Sequence, residues 1–326
     1  MRYVEANGVR ISSIGLGCWQ FGSHDWGYGK EYGDTIAAEL VHYALDHGVN
    51  LIDTAEIYAK GVSEAIVGRA LLGRRDEAFL ATKVVPTWPT AARVEEHGRL
   101  SSMRLGVKTI DLYQQHWPNP AVSIGSTMEG MRHLQDAGII RHVGVSNFGV
   151  GRWASAERAL GRPVLSNQVR FNLIQRKHDD GNVPYAQAND RLVIAYSPLA
   201  QGVLGGRYDA AHPPSGPTRL NNPLCLPDNL ERAGALIDTL RRVAAAHDAT
   251  PAQVALAWLI RKPNVVAIPG ASSVDQLRRN IESADLDLTE GEAAELTDES
   301  ERFTPVNIAG TVAGRLRARR TRRMPT

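Results

Sequence analysis

Two hydrophobic rhythms alternate along the chain. Short runs rich in apolar residues, several of them ending in polar ones, recur at residues 14–17, 50–53, 78–83, 110–116, 140–145, 164–169, 192–196 and 265–268. Runs of this length without polar alternation read as strands buried on both faces, as in a parallel sheet covered by helices. Between them lie stretches with apolar residues three and four apart, at 35–46, 64–72, 90–105, 123–137, 151–160, 183–190, 230–247, 251–261 and 274–284, with a further one at 290–300. That spacing predicts amphipathic helices. Asp34, Ser63, Thr90 and Ser123 stand where N-caps belong, Pro251 suits a first helical turn, and Gly48 and Gly138 are stop signals. Asn7-Gly8 between two short runs predicts a β-hairpin ahead of the first strand, because both turn positions tolerate positive φ.

Eight strands alternating with helices imply a parallel sheet. Eight units in 326 residues predict an α/β fold, a (β/α)8 TIM barrel with an N-terminal hairpin. The rival, an open doubly wound sheet, would carry Gly-x-Gly-x-x-Gly after its first strand. Here Gly15-Leu16-Gly17-Cys18-Trp19-Gln20 lacks the third glycine. One connection stands out, the Gly- and Pro-rich stretch from Ser197 to about Asp228, which after strand seven predicts a lid or binding loop. Residues 1–304 are expected to form a single domain. Residues 305–326 are expected to be a flexible basic tail, since six arginines and no acid occur from Arg315 to Thr326.

Composition narrows the class. Hydrophobic residues make up 43% of the chain and the formal net charge is +2, so a large core is available and no single-signed partner is implied. No stretch approaches the roughly 20 consecutive apolar residues of a membrane span, and Met1 to Arg10 has no apolar signal-peptide core. The two cysteines, Cys18 and Cys225, fit neither a metal spacing nor a disulfide framework. The expectation is a cytoplasmic protein acting on a small molecule, with no nucleic-acid or membrane partner.

The candidate chemistry sits at strand ends. Three successive strand runs finish in Asp53, Lys83 and His116, and the loop after Asp53 carries Tyr58. In a barrel all carboxyl ends open on one face, where active sites lie. A free phenol titrates near pH 10 and is a poor acid at neutrality. An ammonium beside it favours the phenolate, so Lys83, held charged by Asp53, is expected to lower the Tyr58 pKa. His116 can donate a hydrogen bond to the same substrate oxygen that Tyr58 protonates. Taken singly, each residue has a bland role: Asp53 a cap, Tyr58 a packed loop aromatic, Lys83 a snorkelling surface lysine, His116 a satisfied loop histidine. It is their convergence on three neighbouring strand ends that points to catalysis. Metal-dependent hydrolysis is disfavoured, because no His-x-His ends a strand. Trp19, Tyr28, Trp88 and Trp117 follow strand ends and are candidate aromatic walls of a substrate pocket.

On these motifs the chain resembles the aldo-keto reductases. They are Gly15-Leu16-Gly17-Cys18-Trp19, Asp53-Thr54-Ala55-Glu56-Ile57-Tyr58, Gly61-Val62-Ser63-Glu64, Thr82-Lys83, His116-Trp117-Pro118, Gly144-Val145-Ser146-Asn147-Phe148, Tyr196-Ser197-Pro198-Leu199-Ala200-Gln201-Gly202 and Ile268-Pro269-Gly270. They follow the family's order from about Val4 to Ser300, nearest the branch that includes the potassium-channel β subunits. The resemblance implies reduction of an aldehyde or ketone with NADPH and no metal. Tyr58 is then the proton donor, Lys83 and Asp53 tune it, and His116 orients the carbonyl. It further implies Ser146, Asn147 and Gln168 at the nicotinamide carboxamide and Tyr196 beneath the ring. Ser197, Pro198, Leu199, Gly202, Leu204 and Arg207 would surround the pyrophosphate, with Trp19 also at the cofactor. Gly270, Ser272, Ser273, Gln276 and Asn280 would hold the adenosine end, with Arg219 covering it or its 2′-phosphate. Arg207 and Arg279 depart from residues usual in the branch. Two alternatives follow: a carbonyl reductase, which would oxidise NADPH, or a regulatory subunit that binds the cofactor with little turnover. Relatives in this branch often assemble, so a homo-oligomer is allowed.

Overall fold

The structure, a computed structural model, describes residues 1–220 and 222–306. A hairpin, β1 (Tyr3–Ala6) and β2 (Val9–Ser12), precedes the barrel. Its turn places Asn7 at φ 50° and Gly8 at φ 74°, the two positive angles the dipeptide was expected to supply. The barrel strands are β3 (Leu16–Gly17), β4 (Leu51–Asp53), β5 (Phe79–Val84), β6 (Ile110–Gln115), β7 (Ile140–Ser146), β8 (Val164–Arg170), β9 (Leu192–Tyr196) and β10 (Val265–Ala267). They pair in parallel in chain order. The ring closes where Gly15 N donates to Ala267 O at 2.8 Å and Ala267 N donates to Ser13 O at 2.9 Å. The (β/α)8 expectation is met.

Helices α1 (Asp34–Asp46), α2 (Val62–Ala70), α3 (Ala91–Leu105), α4 (Ile124–Asp136), α5 (Val150–Leu160) and α6 (Asn182–Ala188) follow successive strands. After β9 come α7 (Pro217–Leu220), α8 (Pro227–Arg232), α9 (Gly234–Ala246) and α10 (Pro251–Ile260), and after β10 come α11 (Val274–Glu282) and α12 (Glu290–Arg302). Apolar residues divide into two clusters. Leu51, Ala81, Leu112, Leu165, Leu192, Ile194 and Val266 fill the barrel, with Ala6 and Ile11 of the hairpin among them. The larger cluster lies between the strands and the helices. The strands are therefore buried on both faces, which is why apolar residues do not simply alternate with polar ones along them.

Several sequence expectations shift. Ser63 does not cap a helix; α2 begins at Val62 with Gly61 before it. Ser63 is fully buried, donates to Cys18 O and shares a hydrogen bond with Thr54 Oγ1, both at 2.8 Å. The loop from Ser197 contains short helical turns at Ala200–Gly205, Pro217–Leu220 and Pro223–Cys225. The helix expected over 230–247 starts at Pro227 and breaks at Ala233 into α8 and α9. The basic tail lies, from residue 307, outside the described residues. Among the described residues no helix is long and apolar enough to cross a membrane.

Candidate active site

The period of two along a strand sets the site. Leu51, Ala81 and Leu112 point into the barrel, so Asp53 and Lys83, two residues on, and His116, four residues on, share that inward face at the carboxyl end. Lys83 Nζ donates to Asp53 Oδ1 at 2.6 Å, to Thr54 O at 2.8 Å and to Tyr58 Oη at 3.3 Å. Lys83 is fully buried, so it is not a surface lysine. The His116 ring stands edge-on to the Tyr58 ring with centroids 5.8 Å apart. Gln168 Nε2 donates to the other oxygen of Asp53 at 2.7 Å. The structure thus brings all four expected residues together and adds Gln168 as a second anchor of the carboxylate.

Tyr58 does not lie on a regular element. It opens a short turn, Tyr58–Gly61, in which Ala59 (φ 46°) and Lys60 (φ 57°) are left-handed. Such angles are costly for residues with a Cβ and cluster at functional sites. Others fall on the same barrel face: Trp88, Asn147, Ser197, Ala200 and Gln201.

The electrostatics correct one expectation. The Tyr58 phenol is raised above its ordinary value, not lowered: burial dominates, and the pull of Lys83 only partly opposes it. Burial also works against the Lys83 ammonium, but Asp53 and then Tyr58 outweigh it and hold the amine above its usual range. The His116 imidazole is pushed down to about 3, by burial first and Lys83 second, and its buried Nδ1 has no hydrogen-bond partner among the described residues. The site at neutral pH is therefore a neutral phenol, a charged lysine bonded to Asp53, and a neutral imidazole. Burial likewise raises the Cys18 thiol well above its usual range, consistent with an inert filler.

Around this centre the remaining expected residues fall in an arc. Ser146 Oγ donates to Gln168 O at 2.8 Å, and Asn147 Nδ2 donates to Ser146 Oγ at 3.0 Å and to His116 O at 3.2 Å. Tyr196 Oη donates to Asn147 Oδ1 at 2.9 Å. Gln168 commits one of its two amide N–H groups to Asp53, which leaves the second N–H and the side-chain carbonyl oxygen for a ligand. Ser197, Pro198, Leu199 and Gly202 form the turn after β9; Leu204, expected at the pyrophosphate, is fully buried and part of the core. Arg207 packs on Tyr208, with 4.7 Å from Cζ to the ring centroid, and Arg219 lies 4.8 Å from the Trp26 ring while Nε donates to Gln201 O. Neither guanidinium has a carboxylate within 4.0 Å among the described residues. Gly270 and Ser272 precede α11, Ser273 caps it by accepting from Gln276 N, and Asn280 donates to Gly270 O at 3.5 Å. Arg207 and Arg219 thus bring positive charge to the connection after β9, and α11 supplies a helix N-terminus after β10.

The aromatic wall is only partly as expected. Trp19 faces Tyr58 with centroids 6.5 Å apart, and Trp88 and Trp117 are large, exposed side chains on the loops after β5 and β6. Tyr28 is engaged elsewhere: its ring packs edge-on to Tyr32 and its hydroxyl meets Asp34. Sequence reasoning missed Trp26, edge-on to Trp19 at 5.2 Å, and Ile57, half-exposed directly before Tyr58. The signal for Ile57 was available, as a large apolar residue in a loop between two catalytic candidates.

The comparisons with known proteins agree with this geometry. The model of the aldo/keto reductase family matches residues 13–301. An uncharacterized oxidoreductase of Mycobacterium tuberculosis is 48% identical over 324 residues, covering 99% of this chain and 100% of its own. An aldo/keto reductase from Klebsiella pneumoniae, solved in complex with NADP and acetate, is 30% identical with a TM-score of 0.75, covering 94% of this chain and 96% of its own. The glycerol dehydrogenase from Gluconobacter oxydans is 30% identical with a TM-score of 0.82, covering 94% and 97%. With the match running through every barrel strand, the chain belongs to the aldo/keto reductase family.

Proposed function

We propose that the protein reduces an aldehyde or ketone to the alcohol with NADPH, Tyr58 giving the proton. The observation that carries the reading is the chain of contacts Tyr58–Lys83–Asp53, with Lys83 Nζ 3.3 Å from the phenol and 2.6 Å from the carboxylate.

The residues fit a dinucleotide. Ser146 and Asn147 carry hydroxyl and amide groups suited to a carboxamide, which would take the place of contacts they now make with Gln168 O, His116 O and Tyr196, and Tyr196 presents an aromatic face. Arg207, Arg219 and the N-terminus of α11 offer positive charge where phosphates would lie. Arg207 can pair with a phosphate bidentately. The solved Klebsiella relative with NADP supports this assignment. When bound, the reduced nicotinamide supplies a hydride to the carbonyl carbon. The protein's own residues do the rest. Tyr58 holds its proton until negative charge develops on the carbonyl oxygen, then releases it there. The phenolate left behind is met by the Lys83 ammonium, which Asp53 keeps charged and in place. Neutral His116 can donate an N–H to the same oxygen without adding charge. Trp19, Trp88, Trp117 and Ile57 exclude water from the reacting carbonyl.

The likeness to the branch of the potassium-channel β subunits belongs to this reading, and with it the alternative of a regulator that holds NADPH without turnover. Mixing the protein with NADPH and a panel of aldehydes separates the two. Reduction predicts loss of the reduced-nicotinamide absorbance over many equivalents of cofactor per protein. Tight NADPH binding with no turnover on any aldehyde would instead favour the regulator.

A further inference from the structure

Two segments must be held together for Tyr58 to sit beside Lys83, and one side chain touches the supports of both. Glu56 lies two residues before Tyr58. Its Oε1 accepts from Val85 N just past β5, and its Oε2 is hydrogen-bonded with His97 Nδ1 at 2.7 Å and ion-paired with Arg104 Nη2 at 3.6 Å, whose own hydrogen bond goes to Ser101 Oγ at 3.1 Å. Glu64, on α2, is fully buried. Its Oε1 accepts from Thr82 Oγ1 at 2.7 Å, and Thr82 immediately precedes Lys83. Its Oε2 accepts from Arg104 Nε at 2.5 Å. Arg104, at the end of α3, thus forks between a carboxylate on the Tyr58 segment and a carboxylate on the Lys83 strand. Its stem also closes over the Tyr58 turn: a Cβ built on Gly61 would come within 2.7 Å of Arg104 Cδ. That turn is left-handed at Ala59, Lys60 and Gly61 in succession, a backbone that persists only where the surroundings hold it.

We propose that Arg104 is a positioning residue of the proton-donating pair, acting through Glu56 and Glu64 to fix Tyr58 against Lys83. It touches neither substrate nor cofactor. A guanidinium is suited to the task because its planar fork addresses two carboxylates at once, which an ammonium cannot do at these positions. Without it, Glu56 and the buried Glu64 become neighbouring, poorly compensated negative charges. The left-handed turn then loses its outer wall. This inference rests on the reductase reading for its kinetic consequence, but its structural consequence stands without it.

The test pairs turnover with structure. Arg104→Met is expected to lower kcat about tenfold or more, since displacements near 1 Å suffice for that, while the dissociation constant of NADPH, whose proposed contacts lie mainly from Ser146 onward, stays within about twofold. Arg104→Lys, which keeps the charge but loses the fork, is expected to fall between. A crystal structure of Arg104→Met is expected to show the 58–61 turn displaced and the Tyr58–Lys83 contact lengthened. That readout needs no activity, so it judges the proposal even if wild-type protein reduces nothing, an outcome that would instead count against the proposed function. An unmoved turn with the contact intact would overturn the proposal. So would a kcat within about twofold of wild type in an active enzyme, or a parallel loss of turnover and NADPH binding, which marks a general folding defect. If Arg104→Met fails to fold, Glu56→Gln removes the charge that ties Arg104 to the Tyr58 segment. The proposal requires that this variant too loses turnover with cofactor binding kept, and an unchanged kcat contradicts it.

Discussion

At the scale of single residues, burial decides the protonation of Tyr58 and His116, while neighbouring charge decides that of Lys83. Sequence reasoning grouped Asp53, Lys83 and His116 because they are the last polar letters of strand runs, with Tyr58 in the loop after Asp53, and the four side chains lie close together in the structure. It misjudged the sign of the Tyr58 shift, because spacing reveals that a lysine is near but not how completely both groups are withdrawn from water. The difference is measurable. A phenol raised above its ordinary value stays protonated below it and loses its proton only at higher pH, and an imidazole lowered to about 3 stays neutral above that. An acid catalyst works in its protonated form. The kcat for reduction is therefore expected to show no ionisation between about pH 5 and pH 9, with a decline only above the ordinary phenol range near 10. A pH–rate profile under saturating NADPH checks this. A limb with a midpoint near neutrality would mean that Lys83 controls the phenol after all. The links through Gln168, Glu56 and Arg104 were not legible, since their partners lie far apart in sequence and no local pattern pairs them.

At the scale of elements, the helices that follow the strands are built from ordinary signals, although Asp34, expected as the cap of α1, is its first residue with Gly33 before it. Ser63 looks like an N-cap but serves to tie Cys18 to Thr54 in the interior, while Ser123 caps as expected, accepting from Ser126 N. The start of α10 is the clearest case of local chemistry. Pro251 occupies its first turn, and Thr250 forms a reciprocal capping box with Gln253. Thr250→Ala removes the hydroxyl acceptor for the Gln253 N–H. It is expected to cost about 1 kcal/mol of stability. Chemical denaturation of the two proteins measures it, and equal midpoints would show that the cap is redundant here. The long connection after β9 was expected as a loop. Its left-handed residues Ser197, Ala200 and Gln201 mark it as a shaped turn instead, which apolar periodicity does not detect in so short a span.

At the scale of the molecule, the barrel converts distance in sequence into contact. Asp53, Lys83, His116 and Gln168 come from four different strands, and they meet only because the sheet closes on itself. The closing seam is tight: a Cβ on Gly17 would stand 2.7 Å from the Ile268 carbonyl oxygen, so a larger residue would push β3 from β10. The hairpin stops the other end with Ala6 and Ile11. This architecture was readable from eight apolar runs, as was the face on which the chemistry lies. The order of charges within that face was not, since it depends on three-dimensional packing.

The most direct test of the account is Tyr58→Phe assayed for NADPH-dependent aldehyde reduction beside a binding titration with the same cofactor. Removing the hydroxyl deletes the proton but keeps the ring that packs on Trp19 and His116. The account predicts that turnover falls by about 100-fold or more while NADPH affinity is retained; turnover equal to that of the wild-type protein would contradict it.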